Sequence, residues 1–148
     1  MGLGPDLPWG VSDPVDVGVD AAAGLADGLR QASRALAAVG ATGMRRFEEL
    51  AREGIVGLVE PDAGRGFADR LLAPLESRDR GDLVASVRAW LGHNGQWDAA
   101  ATSLGIHRHT LRYRMRRVEE LLGKGLDDPD LRADLWIALA IRDRDAQR

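Results

Sequence analysis

The densest chemistry in the chain lies between Ile106 and Val118. Five arginines stand there without a single carboxylate: Arg108, Arg112, Arg114, Arg116 and Arg117. His107, His109, Thr110 and Tyr113 are interleaved with them. A guanidinium fork bonds a guanine edge or a phosphate with two parallel hydrogen bonds, and Thr110 can meet either a phosphate or a thymine methyl. A run of charge is more often a solvated helix face, but here the usual acids are missing. Elsewhere the balance reverses. Up to Glu60 there are nine acidic residues against five arginines, and the whole chain carries a net charge of −3. A basic stripe within an acidic chain draws an anion to one surface while the rest repels it.

Other chemistries find little support. The chain has no cysteine, which excludes disulfides and thiolate metal sites. His107 and His109 are two residues apart, which places them on different faces of a helix, and His93 falls in a loop. We therefore expect no metal site, no cofactor, no catalytic residue and no enzyme. Glu48, Glu49 and Glu53 read as a solvated helix surface. No segment approaches the roughly 18 apolar residues needed to cross a bilayer. The N-terminus lacks the basic start and apolar run of a signal peptide. A cytoplasmic protein that does not engage membranes is expected.

The elements that must position the arginines are legible around them. Gln96–Leu104 reads as a short helix, Gly105 as a tight turn, and His107–Leu122 as a long helix. Ala101 is the small residue that lets two helices approach, and Ala100, Leu104, Ile106 and Leu111 hold them in register. Together these form a helix-turn-helix, whose second helix enters the major groove. At about 100° per residue, Leu111, Met115, Val118 and Leu122 point inward. His109, Tyr113 and Arg116 face outward, flanked by Thr110, Arg112 and Arg117. Phasing alone sets Arg108 beside the core, yet its place at the helix start favours a base contact. The candidate DNA-binding residues are His107, Arg108, His109, Thr110, Arg112, Tyr113, Arg116 and Arg117. Glu119 and Glu120 restore a mixed surface, so the footprint ends near Arg117.

Flanking helices brace this pair. Asp82–Leu91 is one, with Asp82 as its cap and Gly92–Gly95 as its end. Asp128-Pro129 opens another, whose stripe is Leu131, Leu135, Ala138, Leu139 and the stem of Arg142. Trp90 and Trp136 read as core or half-buried, with Trp9 and Trp97 less firmly placed. Earlier in the chain, the stretch up to about Pro14 reads as a loop or a short edge strand around Trp9–Val11. Asp20–Val39 reads as a helix carrying Leu25, Leu29, Ala32 and Leu36 at helical spacing, closed by Gly40. Met44–Phe47 reads as a second short strand. Glu48–Val59 gives mixed signals, Pro61–Gly66 a turn-rich joint, and Phe67–Leu75 a short helix with Phe67, Leu71, Leu72 and Leu75 on one face. The charged linker Ser77–Gly81 marks the expected boundary between residues 1–76 and 81–148. The fold class is mainly α, a helical DNA-binding domain preceded by a small α/β segment.

The string AAATSLGIHRHTLRYRMRRVEELLG, the Leu83–Leu91 helix before it and LDDPDLRADLWIALAIRD after it carry a resemblance. Gly81–Asp143 resembles the C-terminal helix-turn-helix domain of the bacterial purine-catabolism and sugar-diacid (PucR/CdaR-type) regulators. That resemblance implies a fold akin to the DNA-binding end of the inversion-stimulation factor, a role in transcription regulation, and double-stranded DNA as partner. It also implies that His107, Arg108, Thr110, Arg112 and Tyr113 face DNA. His109 stands where the family usually has asparagine, and Trp97 where a small aliphatic is usual. Trp9–Leu75 is similar to the tail of the cyclase-like, GGDEF-related domain that precedes the module in that family. It lacks the GG[DE]EF loop, so cyclase activity is not expected. Residues 1–76 are then expected to be a shortened remnant that packs or dimerises, giving a homodimer that reads paired half-sites. The competing expectation is a truncated partner that modulates longer family members and binds little DNA itself.

Overall fold

Asp20 begins the N-terminal helix by turning its carboxylate onto the backbone N–H of Ala23, at 3.0 Å. The structure, a computed structural model, describes residues 7–39, 41–76 and 82–147. Strand β1 (Pro8–Val11) runs into helix α1 (Ala21–Ala37), which returns the chain to strand β2 (Gly43–Arg46). The two strands pair in parallel, Pro8 opposite Gly43 and Val11 opposite Arg46. Short helices α2 (Phe47–Arg52) and α3 (Ile55–Leu58) follow. The mixed signals over Glu48–Val59 thus resolve as two helices, because Gly54 at φ 73° breaks them apart. Gly40, the expected helix stop, lies outside the described residues.

Helix α1 forms as its periodicity predicts, but its leucines are not its core face. Leu25, Leu29 and Leu36 are 61%, 71% and 43% exposed, whereas Gly28 and Ala35 are buried. The reason is a close approach of backbones. A Cβ added to Gly10 of β1 would lie 2.0 Å from the carbonyl oxygen of Ala32. Only glycine admits the helix at that distance, so α1 settles on β1 at Ala32 and Leu36, while Leu25 and Leu29 stay exposed. Ala35, Ala38 and Leu50 form the small core, with Phe47 and Leu58 packed against it.

Helix α4 (Pro61–Leu72) begins earlier than the sequence suggests, and continues as a 3₁₀ turn, Ala73–Leu75. The stretch Pro61–Gly66, expected as a turn, is helical. Pro61 takes the first helical position, and the Glu60 carboxylate accepts from the N–H groups of Asp62 and Ala63 at 3.0 and 2.7 Å. Its buried face carries Ala68 and Leu72, leaving Phe67 38% exposed. The chain divides into two compact units within α4, Met1–Gly64 and Arg65–Gln147. Residues 65–76 therefore associate with the C-terminal module, through the buried side chains of Ala68, Leu72 and Leu75. The expected boundary at Ser77–Gly81 lies outside the described residues.

The C-terminal unit is helical throughout: α5 (Leu83–Gly92), α6 (Trp97–Ser103), α7 (Arg108–Leu122) and α8 (Pro129–Ala146). Asp82 caps α5 through the N–H of Ala85, and Asp128 caps α8 through that of Asp130, with Pro129 in the first turn. Gly123, in the left-handed region at φ 68°, ends α7. Leu83, Val87, Leu111, Met115, Val118, Leu135 and Ile141 are 0–1% exposed. Each of them contributes about 1.5–3 kcal/mol of burial free energy. Two polar links tie the unit's ends together. Arg88 of α5 forks onto the carboxylate of Asp143 in α8, and Arg142 reaches Glu76 at 2.7 Å. Trp90 is buried as expected, but Trp136 is not. It is 57% exposed, because the buried stripe of α8 runs through Leu131, Leu135, Ala138 and Ile141 and leaves position 136 on the far side.

Candidate nucleic-acid interface

Ala100 and Ala101 are 0% and 3% exposed, and they let α6 and α7 meet closely. Between the helices Gly105 adopts φ 64°, a left-handed conformation that a side chain would strain. The N–H of Ile106 then folds back to the carbonyl of Ala101 at 3.1 Å, which sets the sharp entry into α7. Leu111 at 0% exposure locks the first turns of α7 onto this pair. Two short local signals, an alanine pair and a glycine, thus fix where the arginine-rich helix points.

His107 is the N-cap of α7, and its Nδ1 accepts from the N–H of His109 at 3.3 Å. The two imidazoles stack with centroids 5.1 Å apart. The expectation that they face different ways fails because His107 lies outside the helix, where helical phasing does not apply. Among the described residues no group of three or more His, Cys, Asp or Glu side chains could hold a metal ion. No described helix is long and apolar enough to cross a membrane.

All eight candidate residues line the outer side of α7 or its cap. His107, Arg108, His109, Thr110, Arg112, Tyr113 and Arg116 are exposed, and Arg117 is half-buried. Their partners divide them. Arg108 lies 3.8 Å from Asp98 of α6, and Arg117 pairs with Glu120 one turn on. Arg112 stacks on the Trp97 ring, its guanidinium 5.3 Å from the centroid, and neither Arg112 nor Arg116 makes an ion pair among the described residues. Arg114 turns the other way and donates to the Ser86 hydroxyl of α5 at 3.4 Å. The stretch that is acid-free in sequence is therefore not acid-free in space. Asp98 comes from another helix, and no spacing rule within α7 could have found it. Glu120, by contrast, is an ordinary (i, i+3) neighbour of Arg117.

Residues 83–141, from the first buried leucine of α5 to the last buried isoleucine of α8, match the family model of the PucR C-terminal helix-turn-helix domain. This module belongs to that family. An uncharacterised protein of Thermomonospora curvata is 40% identical over 118 residues, 78% of this chain and 66% of that protein. The carbohydrate diacid regulator of Escherichia coli is 41% identical over 73 residues, 49% of this chain and 19% of its own. The purine catabolism regulatory protein of Bacillus subtilis is 33% identical over 78 residues, 51% of this chain and 15% of its own. The chain thus spans about two-thirds of the first relative's length, and less than a fifth of each regulator's. PucR-type modules belong to transcription regulators, not to enzymes, and the relatives with functional names are regulators.

Proposed function

We propose that the chain is a DNA-binding transcription regulator whose PucR-type module reads duplex sequence through α7. The observation that carries this is the exposed face made by His109, Thr110, Arg112, Tyr113 and Arg116 on a helix held by a helix-turn-helix. That face offers guanidinium forks, a hydroxyl and ring donors, and two of its arginines have no carboxylate partner among the described residues. Positions near the start of α7, from His107 to Arg112, reach base edges. Arg116 and Arg117 hold phosphates. The test is binding to duplex DNA, with fragments selected from genomic DNA to name the site. Binding should weaken steeply with salt, and no binding at low salt to any fragment would overturn the proposal.

The same regulator acts as a homodimer in this reading, since helix-turn-helix modules commonly read paired half-sites. The outer side of α1 supports it. There Ala22, Leu25 and Leu29 recur at spacings of three and four, the spacing of a seam between two helices, whereas Ala32 and Leu36 lie beside Gly10 of β1. Leu25 and Leu29 are both exposed. A sharp monomer mass at high concentration would count against pairing through this seam.

A further inference from the structure

A second binding feature lies beside the reading helix, within the same module. Trp90 of α5 and Trp97 of α6 meet with ring centroids 5.8 Å apart, tilted by 48°. Each carries a guanidinium from a different helix, Arg112 of α7 over Trp97 and Arg132 of α8 over Trp90, the latter at 5.0 Å. These two stacks border an open cleft of about 620 Å³, which Arg116 also lines. That volume lies in the range that binds small organic molecules.

The charge in the cleft is unbalanced where it matters. Two carboxylates line it, Glu119 and Asp127, against the three guanidinium groups of Arg112, Arg116 and Arg132, and Glu119 accepts from the N–H of Leu126 at 2.8 Å. Arg112, Arg116 and Arg132 make no ion pair among the described residues, although the rest of the chain pairs many of its arginines. Trp90 is 4% exposed, and its indole Nε1–H is buried without an acceptor. A buried donor left unpaired destabilises the fold around it. Three guanidinium groups that outnumber the two carboxylates and pair with neither, together with the indole rings, suit a planar ring bearing a carboxylate. The ring would lie against Trp97, which rests on the buried Trp90, and the carboxylate would take the guanidinium forks.

We propose that this cleft binds a small planar organic carboxylate, and that its occupation draws Arg112 and Arg116 away from DNA. The second half rests on the DNA-reading function proposed above, whereas the first half does not. Arg132 separates the two. It lies on α8, outside the DNA-facing set, and reaches only the cleft and the carbonyl of Leu126.

The full chain, labelled at its four indole nitrogens, is titrated with 2-naphthoate and in parallel with neutral 2-naphthamide. The Trp90 and Trp97 resonances should shift saturably with the carboxylate and at least about tenfold less readily with the amide, while exposed Trp136 stays still. Arg132→Gln should weaken naphthoate binding at least about tenfold and leave the duplex affinity unchanged. Thr110→Ala should do the reverse. Naphthoate should also lower duplex affinity in the unsubstituted chain. Absence of a saturable shift at millimolar naphthoate, or equal shifts with the amide, would overturn the cleft assignment, and neither outcome depends on a variant folding. Saturable binding that leaves duplex affinity untouched would overturn the coupling. Should the chain bind no DNA at all, the coupling falls, and the indole titration still decides the cleft by itself.

Discussion

Releasing Arg108 from Asp98 should strengthen DNA binding, and the structure sets the size of the effect. The pair is separated by 3.8 Å, with side chains 53% and 80% exposed. Two unit charges at that distance attract by about 1 kcal/mol in water, and physiological salt reduces this further. Exposed pairs measured by double-mutant cycles are worth about 0–1 kcal/mol. If Arg108 leaves Asp98 to meet DNA, that is the energy lost on binding. Asp98→Asn should therefore tighten duplex binding by up to about fivefold. The gain should depend on Arg108, so it should shrink in an Arg108→Ala background. The assay is a fluorescence-anisotropy titration of all four proteins in that cycle, at two salt concentrations. An equal gain with and without Arg108 would mean that Asp98 acts only as a distant negative charge, and a loss of affinity would mean that Asp98 itself assists binding. Either result refutes the reasoning. The substitution also removes an acid from the first turn of α6, which should cost the fold about 0.3–1 kcal/mol, read as a small fall in Tm.

Three further outcomes are expected. Arg116→Ala should flatten the salt dependence of duplex binding by about 0.9 in the log–log slope, which titrations across a salt series will show. Leu111→Ala should destabilise the C-terminal unit by about 2–5 kcal/mol in denaturant melts, because its side chain is 0% exposed where α6 and α7 meet. Leu29→Glu should convert a homodimer to monomer in light scattering with little change in far-UV circular dichroism, since the leucine is 71% exposed in one chain.

The local signals of the module are readable from the residues alone. Asp82, Gly105, Asp128 and Pro129 each act on the backbone within a few residues, so their positions announce a cap, a turn and a helix start. The inward phase of Leu111, Met115 and Val118 is equally plain. What escapes the sequence depends on meetings between distant segments. Leucines at positions 25, 29 and 36 look like a core stripe, until Gly10 brings β1 onto the backbone at Ala32 and Leu36 and burial falls on Gly28 and Ala35. Asp98 looks like an ordinary first-turn acid, until the turn at Gly105 carries Arg108 back to it. The stacks of Arg112 and Arg132 on two tryptophans belong to the same class, for each joins helices that no periodicity relates.

The link from Arg88 to Asp143 joins residues 55 apart, near the two ends of the module. On the ribosome this has a temporal meaning. Helix α7, with all its arginines, is synthesised before α8 supplies Leu135, Ala138 and Ile141 to the shared interior. During that interval α7 already has α5 and α6 beside it, while the face of α5 that meets α8 is still uncovered. Completion of the eighteen-residue helix α8 is thus the event that closes the interior of the module. A stop codon before position 129 should release a product whose C-terminal unit lacks Leu135, Ala138 and Ile141 and is short-lived for that reason.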